Sequence, residues 1–173
     1  MRVLTAVFVA VAAMTTLLPT AAGAAAHRLG PSQTVCANNP VPTGWIVTSY
    51  SDWYQCGPPG SIYYNAKTMK NVTDTSSGGT VTGCISPPPP AGFYATALSY
   101  SYDCDASKTP NGLLNNQQTL TNLNGLPSGR TIVICGYQPA PSGWTVVAVV
   151  RAYQCVYARG GAVGDNAVSI RKL

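Results

Sequence analysis

Six cysteines fall into three pairs, and the two members of each pair stand 20 positions apart: Cys36 and Cys56, Cys84 and Cys104, Cys135 and Cys155. The same residues recur around every pair. Proline stands 4 and 6 positions after the first cysteine, glycine 8 after it, an aromatic 9 after it and tyrosine 18 after it. The first copy supplies Pro40, Pro42, Gly44, Trp45 and Tyr54. The second supplies Pro88, Pro90, Gly92, Phe93 and Tyr102, and the third Pro139, Pro141, Gly143, Trp144 and Tyr153. A chain with this frame is built from three like units, and every cysteine belongs to the frame.

Paired cysteines serve as disulfides or as zinc ligands. Zinc sites use close spacings such as C-x2-C, often with histidine. Here the spacing is 20 and the only histidine is His27. Disulfides are therefore expected, and with them an oxidising compartment. The N-terminus agrees. Arg2 precedes an uncharged run from Val3 to Leu18, then Pro19, then Ala22-Gly23-Ala24 and Ala24-Ala25-Ala26, both of A-x-A type. Residues 1–26 read as a secretory signal peptide of bacterial appearance. The competing reading is a membrane anchor, but a span needs about 20 apolar residues. No second apolar run follows. The expectation is a secreted, extracellular protein with no membrane span in the mature chain.

Without residues 1–26 the chain carries nine Lys and Arg against five Asp and no Glu, a net +4. The basic residues are scattered, apart from Arg130, Arg151, Arg159, Arg171 and Lys172 near the C-terminus, which read as solvation of a surface. No nucleic-acid partner is expected. A balance this mild is compatible with anionic wall polymers without demanding them.

Residues 27–31 read as a lead-in, and the repeats as 32–79, 80–130 and 131–173. Each holds three β-prone runs. The first is Thr34–Cys36, Thr80–Thr82 or Thr131–Ile134. The second runs from the aromatic to the second cysteine (Trp45–Cys56, Phe93–Cys104, Trp144–Cys155) without Gly or Pro and is rich in Val, Thr, Tyr and Trp. The third is Asn65–Met69, Asn116–Leu120 or Asn166–Ile170. The fold class is all-β: three tandem disulfide-stapled repeats of about 50 residues, roughly three strands each. Units this small bury little alone, hence both staples and stacking. Two arrangements stay open. The units close about a pseudo-threefold axis, with the aromatics of Trp45, Phe93 and Trp144 meeting in one core, or they form a linear array.

The staples pose a geometric problem. Pairing within each copy closes a loop that adds about 3 kcal/mol in the chain-entropy model. If the P-x-P-x-G segment is a tight reversal, the second cysteine lies up to about 41 Å from the glycine along an extended strand, and the first travels back only about 27 Å. Pairing within a copy then requires the second strand to bend or the P-x-P segment to be something other than a turn. Pairing between copies is the alternative.

No residue set carries catalysis. A Ser-His-Asp or Cys-His site needs a histidine, and His27 is isolated. Asp103 and Asp105 flank Cys104 but read as solvated, Asp103 at a strand end and Asp105 at the start of a loop. No metal or cofactor site is expected, and no enzyme. The aromatics are the better lead, with ten Tyr and three Trp against two Phe. Tyr and Trp join apolar area to a polar tip, which suits binding surfaces. Trp53 has no aromatic counterpart in the other copies, where Ser101 and Ala152 stand. Trp53, Tyr50, Tyr63 and Tyr64 are the candidate ligand-binding residues. Tyr54, Tyr102 and Tyr153 recur at a fixed offset and read as core. The functional expectation is a non-enzymatic protein that binds an extracellular or cell-envelope ligand, a glycan before others. The alternatives are a secreted inhibitor or effector acting on another protein, or a structural envelope component.

Overall fold

The structure, a computed structural model, describes residues 30–109, 112–136, 138–161 and 164–173. The signal-peptide reading lies outside the described residues. The first repeat contributes β1 (Ser32–Cys36), β2 (Trp45–Ser51) and β3 (Ala66–Asn71). The second contributes β4 (Thr80–Cys84), β5 (Phe93–Ser99) and β6 (Gln117–Asn122), and the third β7 (Thr131–Cys135), β8 (Trp144–Val150) and β9 (Ala167–Lys172). Each repeat forms one three-stranded antiparallel sheet, in the orders β1-β3-β2, β4-β6-β5 and β7-β9-β8.

The last strand of each repeat is the central one, and this resolves the disulfide problem. β1 and β2 both run antiparallel to β3, so they run parallel to each other. The P-x-P-x-G segment does end in the tight turn its composition suggests, the N–H of Trp45, Phe93 and Trp144 donating to the carbonyl of Pro42, Pro90 and Pro141 at 3.1, 3.1 and 3.2 Å, but it joins parallel strands and forms no hairpin. It is a crossover that carries the chain back to the starting end of the sheet. Prolines suit such a span, because they stiffen an extended chain and have no N–H left unpaired. The glycine at its end needs its special freedom: Gly44, Gly92 and Gly143 have φ of 80°, 85° and 77°. Their carbonyls accept from Val72, Leu123 and Leu173 at 2.9, 2.8 and 3.0 Å, closing the far end of each sheet.

At the other end Cys36 and Ser51 both face Ala66 across their ladders. The tips of β1 and β2 are thus two strand spacings apart, roughly 10 Å. The second strand stops at Ser51, Ser99 or Val150, short of the cysteine, and a 3-10 turn follows: η1 (Tyr54–Cys56), η2 (Tyr102–Cys104) and η3 (Tyr153–Cys155). This turn folds the second cysteine back over the tip of the central strand. All three disulfides close within their own repeat, with Cα–Cα distances of 5.2–5.3 Å.

One asparagine per repeat fixes the turn. Asn65, Asn116 and Asn166 accept, through Oδ1, the backbone N–H of Trp53, Ser101 and Ala152 at 2.7, 2.9 and 2.8 Å. Their Nδ2 groups donate to carbonyls of the same region, on Gly57, Ser101 and Ala152. A register shift also recurs, between Val47 and Ser49, Ala95 and Ala97, and Val146 and Ala148. The bulged residues are Thr48, Thr96 and Val147, and past them the side-chain alternation switches faces.

The repeats join in series. β2 packs against β4 and η2, and β5 against β7 and η3. Among the described residues no comparably broad contact ties the third repeat back to the first. At each junction the disulfide of the later repeat presses on the bulge of the earlier one. Cys104 Sγ lies 4.0 Å from the Thr48 carbonyl oxygen, and Cys155 Sγ 4.0 Å from that of Thr96. A disulfide sulfur has no proton to donate, so these are packing contacts. Gly83 of β4 comes so close that a Cβ there would sit 2.9 Å from the Val47 carbonyl oxygen and from Ile46 Cδ1. The loops after the turns stitch the same junctions. Tyr64 N–H donates to Ala106 and Lys108 N–H to Ile62; one junction on, Asn115 N–H donates to Tyr157 and Arg159 N–H to Leu113. The +9 aromatics do not meet in one core. Phe93 is buried in a cluster with Ile46, Leu98 and Leu120. Trp45 packs on Val47 and Met69, and Trp144 on Ile134 and Ile170.

Two outcomes follow from this packing. Cys84, Cys104, Cys135 and Cys155 are buried under their neighbours, whereas Cys36 and Cys56 are only half-buried. Access governs thiol–disulfide exchange, so limiting reductant followed by alkylation and peptide mapping should find the Cys36–Cys56 bond opened first. Asn116→Ala removes the clamp on Ser101 and should cost about 1–3 kcal/mol of stability, the penalty for stranding half-buried backbone groups, read by denaturant unfolding.

Candidate binding surface

Among the described residues, the 3-10 turns carry the most exposed aromatic side chains. Tyr54, Tyr102 and Tyr153 are 81, 76 and 79% exposed. Reading them as core is overturned, and the geometry gives the reason. A 3-10 helix has three residues per turn, so residues two apart point in different directions. The cysteine ending each turn is pulled inward by its disulfide, and the tyrosine that begins the turn is left facing water. Its fixed spacing follows from the same frame that spaces the cysteines. The tyrosines therefore repeat along the array, one per unit.

The four residues singled out from the sequence do not form a single patch. Tyr63 is exposed, in a bridge to Ser107 of the next repeat. Tyr64 is half-buried beneath the Lys108 ammonium, 5.4 Å from the ring centroid, and Lys108 also forms an ion pair with Asp52. Trp53 is half-buried at the flank of η1, held through its N–H by Asn65. Tyr50 is set apart from these. It lines a groove at the first junction with Trp45, Lys67, Pro87 and Pro90, and its hydroxyl donates to the Ser86 carbonyl at 3.2 Å. Burial pushes the Tyr50 phenol up from its ordinary pKa. Burial likewise lowers the pKa of Lys67, whose ammonium is spent on the carbonyls of Ala37 and Asn39.

The second unit builds a denser aromatic corner. Tyr100 meets Tyr102 edge to face, with centroids 5.1 Å apart at 80°. The Arg159 guanidinium lies 4.8 Å from the centroid of Tyr100. The Tyr100 hydroxyl donates to Asp105 Oδ2 at 2.5 Å, and Asn116 Nδ2 donates to Oδ1 of the same carboxylate at 2.9 Å. Asp105 is thus engaged as an acceptor that fixes the corner. A cleft of about 680 Å³ opens at the second junction between Leu98, Val149, Val156, Tyr157 and Val168. At the first junction Tyr50 and Ile85 stand where Leu98 and Gly136 stand at the second. Among the described residues no three His, Cys, Asp or Glu gather as a metal site would require.

The hydrogen bond to Asp105 is the largest of the causes that raise the Tyr100 pKa to about 12. The raised value makes Tyr100 a stabilising group below the ordinary tyrosine pKa of about 10, and that contribution is lost as pH climbs through about 12. Spectrophotometric titration should show a late-ionising phenol that Tyr100→Phe removes. An unchanged titration curve for that variant would refute the assignment. Comparisons of the chain with protein-family profiles, with characterised proteins and with solved structures found no match.

Proposed function

We propose that the mature chain is a secreted, non-enzymatic binding protein whose ligand is an extracellular or cell-envelope glycan, held by stacking on Tyr54, Tyr102 and Tyr153. The observation that carries this reading is the exposure of the same aromatic at the same place in all three units, at 76–81%. The core does not need these rings, and exposing three of them costs apolar hydration that packing would have avoided. A flat ring with a polar rim suits the apolar face of a sugar ring together with its hydroxyls. A repeating polymer supplies a repeating ligand. Three weak contacts on one rigid array then combine into useful avidity. Tyr63 and the Tyr64–Lys108–Asp52 group extend the surface beside the first tyrosine and are suited to selecting among polymers by charge.

Pull-down on isolated cell wall and a glycan array, both with the mature oxidised protein, test the reading. Each Tyr→Ala change at 54, 102 or 153 should weaken binding roughly fivefold, equivalent to about 1 kcal/mol. The triple variant should lose binding while its three disulfides remain intact. Trp53→Ala, at a half-buried position, should weaken binding less. Absence of glycan binding together with tight capture of a single protein would replace this reading with that of an inhibitor or effector.

A further inference from the structure

β8 is an edge strand that no other described residue covers. Thr145, Val146, Val147, Ala148 and Val149 are exposed in succession, the three valines at 49, 51 and 62%. The equivalent strands are covered. Ile46 and Val47 of β2 lie buried beside β4, and Ala95 and Leu98 of β5 beside β7. Uncharged, rich in valine and free of proline, β8 has of the devices that protect a sheet edge only its bulge at Val147. Terminal repeats of arrays ordinarily present a polar outer face.

At the opposite end of the array the complementary surface is likewise not covered by any other described residue. β1 and η1 correspond to β4 with η2 and to β7 with η3, the elements that dock on β2 and β5. Their disulfide, Cys36–Cys56, is the half-buried one. We infer that β8 is a self-association site: it receives β1 and η1 of a second copy of this chain, repeating head to tail the junction already made twice within the chain. Cys56 then rests on the bulge at Val147, as Cys104 rests on Thr48 and Cys155 on Thr96.

The charges are compatible. At the first junction Lys108 pairs with Asp52, and at the second Arg159 covers Tyr100. In the same frame Arg151 takes the place of Asp52 and Tyr100, and Gly60 the place of the two cations. No like charges meet there. Val147 replaces the bulge threonines, whose hydroxyls bond to the Thr68 and Thr119 carbonyls, so this bulge presents only apolar surface. Gln33 stands where Val81 and Ile132 stand, so the head is more polar than its internal equivalents. The contact is weaker than the internal junctions and depends on concentration. A heterologous contact of this kind leaves one free β8 and one free β1 on every open oligomer, so it grows into filaments or closes into rings rather than stopping at a symmetric dimer.

Analytical ultracentrifugation of the mature oxidised chain should show mass rising with concentration beyond one chain. Val147→Asp, which blocks the tail, and the double variant Gln33→Lys/Asn39→Lys, which blocks the head, should each be monomeric alone. Mixed in equal amounts they should form a heterodimer and nothing larger, because one free head meets one free tail. All the changed positions are exposed or at an exposed bulge, and disulfide mapping with circular dichroism checks the fold; Val149→Lys replaces Val147→Asp if that variant misfolds. A chain that stays monomeric at millimolar concentration overturns the inference. So does a head-blocked variant that still dimerises, which would mean β8 pairing with β8. Association unaffected by either block would overturn it equally.

Discussion

The position of the central strand governs everything else in each unit. Because β3, β6 and β9 enter between two strands made earlier, those two strands must be parallel and must end at the same edge of the sheet. That places both cysteines of a repeat at one end, where a 3-10 turn lets them meet across the tip of the central strand. The stretch between the cysteines, crossover included, becomes a closed loop threaded against the third strand. Such a sheet of 18 strand residues has too little interior to hold itself together by burial alone. The disulfide lowers the entropy of its unfolded chain, and the asparagine holds the turn that aims the second cysteine.

The junctions extend the same economy. A buried disulfide is a compact apolar object, and here it serves as the knob with which each later repeat fills the bulge of the one before. Cys104 joins a cluster with Val47 and Met69 of the first repeat, and Cys155 joins one with Phe93 and Leu98 of the second. The staple thus constrains one unit and packs another. A unit that lost its disulfide would disturb its predecessor as well as itself.

The sequence carried the three units and the presence of three strands in each, because these depend on local composition and on a frame repeated three times; it left the cysteine pairing open and ran the second strand on to the cysteine, past its end at Ser51, Ser99 and Val150. It did not carry the strand order. Pro42 to Trp45 form the tight turn that Pro and Gly announce; whether that turn closes a hairpin or a crossover depends on where residues 66–71 insert, which is a long-range event. Nor did it carry the exposure of Tyr54, Tyr102 and Tyr153. Regular recurrence marks a residue as tied to the frame and says nothing of which side of the frame it occupies. The shift of face at Thr48, Thr96 and Val147 hid the answer further, since counting by twos across a bulge assigns the far residues to the wrong side. The reasoning that pointed to Trp53, a departure from the repeat, found a residue that is half-buried beside the first turn, while the most exposed aromatics among the described residues obey the repeat.

The copies are alike where the fold needs them alike and different at the ends of the array. Thr48 and Thr96 satisfy their hydroxyls on the neighbouring strand at bulges that the next repeat then covers; Val147 has no hydroxyl to satisfy and is not covered by another described repeat. A terminal strand under no constraint but solubility would be expected to gain polar residues, as β1 has with Ser32, Gln33 and Thr34. β8 instead holds Val146, Val147, Ala148 and Val149, more apolar than either of its covered equivalents. An edge that is richer in valine than the buried strands it matches is composed for contact. In a linear array with equivalent junctions, the surface most nearly complementary to that edge is the one this chain already makes, at its own first strand.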